Sequence, residues 1–115
     1  MSVQITRHTP DFATAPQVMV EDIKEVAGLG FKTLINNRPD GESPDQPTNA
    51  QLEEAAGVFG LHYIFLPVVR SQVGGEAEKF GQLLASAPKP ALAFCRSGTR
   101  SSMLYQTAMT LKTNK

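Results

Sequence analysis

The sequence predicts an α/β fold in three layers, a central, mostly parallel sheet flanked by helices, and three observations predict it. After residue 20, stretches with helical spacing of apolar residues alternate three times with short apolar runs of strand length. Turn formers separate these runs, and the connections they imply are right-handed crossovers. At 115 residues, with no internal repeat or low-complexity tract, the chain is the size of one domain, taken here as 1–115.

Val3 to Arg7 alternates apolar and polar residues and reads as a short strand, closed by a turn at Thr9-Pro10-Asp11, with Phe12 to Gln17 as its hairpin partner. From Val20, the apolar positions Ile23, Val26 and Ala27 follow helical spacing, and Gly28 and Gly30 supply a stop. Thr33 to Asn36 is a buried strand that empties into the turn-rich loop Asn37 to Pro44. A second helix begins near Thr48 and places Leu52, Ala55, Ala56 and Phe59 on one face, with Glu53 and Glu54 turned to solvent. Leu61 to Leu66 is a strand rich in aromatic and β-branched residues, halted by Pro67. A loop through Arg70, Gln72 and Gly74-Gly75 leads to a helix from Glu76 to Ser86, with Ala77, Phe80, Leu83 and Leu84 as its apolar face. Pro88 and Pro90 frame the turn into the strand Ala91 to Phe94. After Gly98 the chain turns helical again, burying Leu104, Ala108 and Leu111. Ligands of such sheets bind beyond the carboxyl ends of the strands, so three loops should meet there: Asn37 to Glu42, Val68 to Gly75 and Cys95 to Ser101.

Composition narrows the function classes. Eleven basic side chains are balanced by eleven acidic ones, and no run of Lys or Arg stands out, which argues against nucleic acid as a partner. No segment reaches the roughly 20 apolar residues that span a bilayer, and MSVQITRHTP lacks the apolar stretch of a secretory signal, so no membrane role is expected. A single cysteine forms no internal disulfide and has no resolving partner; a cytoplasmic location is expected. His8 and His62 make no ligand pattern with Cys95, and neither a metal nor another cofactor is assigned.

The chemistry concentrates in Cys95-Arg96-Ser97-Gly98-Thr99-Arg100-Ser101. A cysteine directly after a buried strand, ahead of a glycine-containing loop that opens a helix, gains thiolate character from the helix dipole and from neighbouring arginines. Successive backbone amides of such a loop form a concave anion receptor, and Arg100 can add a two-pronged contact to an oxyanion. Gly98 permits the curvature, while Ser97 and Thr99 lie in the cradle. Ser101 is placed to hydrogen-bond the sulfur or a leaving group. A nucleophile, an anion cradle and a fixed positive charge are the parts needed to attack a small anionic electrophile. Free cysteines at strand ends are often inert and buried, but here the strand, glycine, arginines and helix coincide. Arg38 either faces the anion site or orders its loop by pairing with Asp40 or Glu42, and Arg96 either recruits an anionic donor or is solvated. Arg70 is a surface residue or lines the mouth. His62 reads as a framework residue.

Gly30 to Glu42 (GFKTLINNRPDGE), Leu66-Pro67-Val68 and CRSGTRS together resemble the phosphatase-like domain of beta-lactamase-hydrolase-like proteins, over nearly the whole chain. The resemblance implies the fold of dual-specificity protein phosphatases, with Cys95 as the phosphate-attacking cysteine and Arg100 as the loop arginine. It also carries departures. The phosphatase signature has five residues between cysteine and arginine, whereas four, Arg96 to Thr99, stand here; Phe94 replaces the usual preceding His; and Pro67 to Glu76 contains no Asp to act as general acid. Glu76 or Asp40 would have to take that role. CRSGTRS is also similar to the loop of rhodanese-type sulfurtransferases, a six-residue ring that holds a persulfide. A shorter ring leaves less room above the sulfur, favouring one extra sulfur atom over a phosphoryl group. The expected function is therefore sulfane-sulfur transfer from thiosulfate or a persulfide to a thiol acceptor through a Cys95 persulfide. The alternatives are hydrolysis of phosphate monoesters and a non-catalytic anion-binding domain. Because related domains are joined to sulfide-oxidising or metal-dependent hydrolase enzymes, such a partner is expected.

Overall fold

The computed structural model describes residues 3–113 and shows five short strands and four helices. The strands are β1 (Thr6–Thr9), β2 (Phe12–Ala15), β3 (Thr33–Asn36), β4 (His62–Phe65) and β5 (Ala91–Phe94). They form one sheet in the order β1-β2-β5-β3-β4. Only β1 runs antiparallel, against β2 at the sheet's edge; β2, β5, β3 and β4 pair in parallel. The expected three-layer, mostly parallel sheet is therefore present.

The inner strands are apolar on both faces because each face has its own core. Side chains alternate along a strand, so Phe12, Ile35, Ala91 and Ala93 join one buried cluster while Ala13, Ala15, Leu34, Leu92 and Phe94 join the other. Helices α1 (Ile23–Gly28) and α2 (Asn49–Val58) cover the second through Ile23, Val26, Leu52 and Ala56. Helices α3 (Val73–Ser86) and α4 (Thr99–Thr113) cover the first through Ala77, Phe80, Leu84, Leu104 and Ala108. The last two helices pack closely at Gly81, where a Cβ would stand 3.2 Å from that of Ala108. Thr48 caps α2 by accepting from the Gln51 amide, and Gln51 returns a bond to the Thr48 amide, a capping box.

Several sequence expectations shift in register. The first strand starts at Thr6 rather than Val3, and Val3 and Ile5 pack beside the α1–α2 core. Gly74 and Gly75 lie in the first turn of α3, after a 3₁₀ turn at Arg70–Gln72. Phe59 and Leu111, expected on apolar faces, are each 42% exposed because they fall at or near a helix's end, beyond the facing element. No described helix is long and apolar enough to cross a membrane.

Candidate active site

The register of the sheet levels the strand ends that matter. Asn36 of β3 and Ala15 of β2 both pair with Phe94, so Asn37, Pro16 and Cys95 leave the sheet side by side. From there β3 feeds α2 on one face while β5 feeds α4 on the other, which opens a crevice between the two chains at their carboxyl ends. Cys95 follows β5 directly at this point and is fully buried.

The loop after Cys95 turns back on itself at Gly98, whose φ is +90°. That turn brings the Gly98 amide to the sulfur, donating to Cys95 Sγ at 3.1 Å. A glycine is needed twice over, since L-residues avoid this conformation and a Cβ would stand 3.3 Å from both the backbone carbon and oxygen of Ala15. Ser97 Oγ receives the Thr99 amide at 3.4 Å and bonds Thr99 Oγ1 at 3.1 Å, closing the entry to α4. The other side of the loop is fixed by the Gln17 amide, which donates to the Arg96 carbonyl at 3.2 Å. The side chains of Arg96, Ser97 and Thr99 are exposed.

Arg100, in the first turn of α4, reaches across the crevice. Its Nη1 and Nη2 donate to Glu42 Oε2 and Oε1 at 2.8 and 2.9 Å, and Nη1 also donates to the Val68 carbonyl at 3.0 Å. Glu42 Oε1 further accepts from Arg38 Nε at 3.0 Å, and Arg38 Nη1 donates to Gln17 Oε1 at 2.9 Å. The hydrogen bonds from Arg100 foremost hold Glu42 below the ordinary carboxylate pKa; partial burial opposes this, and Arg38 adds to the lowering. In return Glu42, and secondarily Cys95, push the Arg100 guanidinium's pKa further up against the cost of burial. All three expected loops thus meet, each contributing a partner of Arg100 or Arg100 itself.

Ser101 is fully buried, and its hydroxyl donates to Asn37 Oδ1 at 2.8 Å. Asn37 in turn donates its side-chain amide to the Leu66 carbonyl and its backbone amide to the Phe94 carbonyl. Ser101 therefore ties α4 to the ends of three strands. Asp40 points elsewhere: its carboxylate accepts from the Asn49 amide at 2.7 Å, at the start of α2. Of the two options for Arg38, the structure displays the pair with Glu42; Arg70 and His62 are exposed. Three contributors were not singled out by sequence reasoning: Glu42 as a partner of Arg100, Asn37 as the acceptor for Ser101, and Gln17. Each makes its contact across a sequence distance that one chain's spacing does not reveal.

A family model described as the phosphatase-like domain of beta-lactamase hydrolase-like protein matches residues 4–111. The beta-lactamase hydrolase-like protein of Agrobacterium fabrum is 42% identical over 92 residues, which is 79% of this chain and 21% of that protein. This chain thus spans about a fifth of the length of the curated relatives it matches. Two crystal structures, each described as a "putative phosphatase", share the fold. The one from Neisseria meningitidis has a TM-score of 0.81 and 36% identity, covering 86% of this chain and 71% of its own. The one from Shewanella putrefaciens has a TM-score of 0.77 at 18% identity, covering 98% and 73%.

Proposed function

Since the chain belongs to the phosphatase-like domain family of beta-lactamase hydrolase-like proteins, we propose that it uses the family's cysteine loop for sulfane-sulfur transfer. The Cys95 thiolate attacks the outer sulfur of thiosulfate; the S–S bond breaks, its electron pair leaves with sulfite, and Cys95 becomes a persulfide. An external thiolate then takes the terminal sulfur and returns Cys95 to its thiolate. The observation that carries this reading is the short ring from Cys95 to Arg100, with four residues between them. Its Gly98 amide already lies against the sulfur at 3.1 Å. Sulfite and thiolates leave without a proton, which suits a site whose arginine-bound carboxylate is held ionised. Gly98 and its neighbouring amides, with Arg100, hold the donor's oxygens; Arg96, exposed at the rim, draws the anion in. The acceptor in this reading is an external thiol, and the partner a hydrolase-like or sulfide-oxidising enzyme.

Hydrolysis of phosphate monoesters through a phosphocysteine is the second reading, favoured by the fold, by the family's phosphatase-like description and by the 36% identical neighbour described as a "putative phosphatase". One preparation tests both. Incubation with thiosulfate and then cyanide or glutathione should add the mass of one sulfur to Cys95 and give thiocyanate or a persulfide. An aryl phosphate assay should give no turnover. Aryl phosphate turnover that vanishes in Cys95→Ser, without any sulfur adduct, would reverse the order of the two readings.

A further inference from the structure

We infer that Glu42, braced by Arg38, is the positioning residue that aims Arg100 at the anion held over Cys95, so that Arg38 acts on the ligand only through Glu42. A guanidinium carries five N–H donors in a rigid plane. Three of Arg100's are engaged on one side, two with the carboxylate oxygens of Glu42 and one with the Val68 carbonyl. The Nε–H and the second N–H of Nη2 take no part in these bonds and share one edge of the plane, the edge suited to a two-pronged oxyanion contact. Cys95 is near enough to help hold the guanidinium charged. An anion held over Cys95 can therefore bind this edge without displacing Glu42.

Arg38 lies one step back. Its side chain is 5% exposed, its Nε is bonded to Glu42 and its Nη1 to Gln17. Its backbone amide is bonded to Asn36 Oδ1, and Asn36 is in turn anchored by a bond from its side-chain amide to the Tyr63 hydroxyl. The chain Tyr63–Asn36–Arg38–Glu42–Arg100 thus runs from the edge strand to the nucleophile's loop. Without Glu42, the guanidinium keeps its charge and its Val68 contact but loses the fork that fixes its plane.

This assignment rests on the loop being an anion receptor, and inorganic sulfate tests it without turnover. The readouts are the sulfate concentration that half-protects Cys95 from iodoacetamide at constant ionic strength, and the sulfate-induced rise in Tm. Glu42→Gln should weaken protection about tenfold or more, with Glu42→Asp between it and wild type, since the shorter carboxylate restores charge but not reach. Arg38→Gln should weaken it severalfold in the wild-type background and have no further effect in Glu42→Gln, the signature of one residue acting through another. Arg38→Lys serves as the second variant if the glutamine form does not fold. Tighter sulfate binding in Glu42→Gln would make Glu42 a competitor and overturn the inference. Equal losses from Arg38→Gln in both backgrounds would place Arg38 on the anion itself, with the same result. Failure of sulfate to protect the wild type would remove the receptor and the inference with it. Protection without sulfur transfer would sink only the sulfurtransferase proposal.

Discussion

Replacing Gly98 by alanine should damage stability and chemistry together, in amounts that follow from the turn. At φ +90° a Cβ costs about 1–2 kcal/mol through its clash with the adjoining backbone. The same Cβ would press at 3.3 Å on the backbone carbon and oxygen of Ala15, atoms of β2 that cannot rotate away. A total near 2 kcal/mol corresponds to a fall in Tm of roughly 6–12 °C for a domain of this size. Relief of the contact must move the loop off β2, and the amide that donates to Cys95 Sγ moves with it. A hydrogen bond to a charged group contributes about 1.5–3 kcal/mol, so its loss should slow formation of the Cys95 adduct by roughly 10–100-fold. Thermal melts by circular dichroism and single-turnover mass spectrometry with thiosulfate measure the two effects. A Gly98→Ala protein that melts like wild type and loads sulfur at the wild-type rate would refute both the strain and the role of the amide.

Ser101→Ala leaves the buried Asn37 Oδ1 without its donor at a cost of about 1–3 kcal/mol; Tm should fall accordingly while Cys95 still loads sulfur, and loss of loading at unchanged Tm would restore the sequence-based role beside the sulfur. Glu42's pKa is depressed on folding, so its contribution is complete above the ordinary carboxylate value of 4.5 and is lost as pH falls through the lower folded value. The stability gap between wild type and Glu42→Gln, from denaturant melts, should be constant near neutrality and close only in acid; a gap that persists unchanged through that acid range contradicts the ion pair. One glycine inserted between Thr99 and Arg100 should widen the ring, lowering sulfur loading and raising aryl phosphate hydrolysis, and a rise in neither activity with intact folding would remove ring size as the discriminator.

The parts legible in the sequence were those set by near neighbours. Cys95, Gly98 and Arg100 lie within one turn that follows a strand, so their meeting is dictated by local geometry. The strands were legible because both of their faces are covered, leaving Ala91–Phe94 wholly apolar and Leu34-Ile35 as an apolar pair between the buried Thr33 and Asn36. Glu42 was visible only as a partner for Arg38 four residues away, while its bonds to Arg100 span 58 residues and depend on β5 lying next to β3. Ser101 presents the same difficulty, since its partner Asn37 is 64 residues distant. Asp40 illustrates the opposite error of proximity: it neighbours the site in sequence, but the turn at Gly41 leaves its carboxylate at the start of α2. Phe59 and Leu111 carry the right spacing for buried faces yet lie where no facing element remains to cover them.

The placement of Glu42 also bears on which anion the crevice suits. Arg38 and Arg100 bring two positive charges and Glu42 removes one, so the cluster beside Cys95 has a net charge of one. A cysteine persulfide carries a single negative charge on its outer sulfur. A phosphocysteine carries close to two, spread over three oxygens that must all find donors. A net charge of one matches the persulfide and leaves a phosphocysteine one positive charge short, a difference that solvent at the partly exposed Glu42 screens in part. The same carboxylate that fixes Arg100 in place thus exchanges positive potential for orientation, and for an oxyanion such as sulfate or thiosulfate the orientation lost in Glu42→Gln outweighs the charge gained. The carboxylate makes this exchange without reducing the number of donors aimed at the sulfur, since Glu42 holds the edge of the guanidinium that faces away from the open N–H pair. Ring length and charge therefore act in the same direction on the covalent intermediate; a residue inserted after Thr99 alters the first alone, whereas Glu42→Gln alters the charge and the aim of Arg100 together.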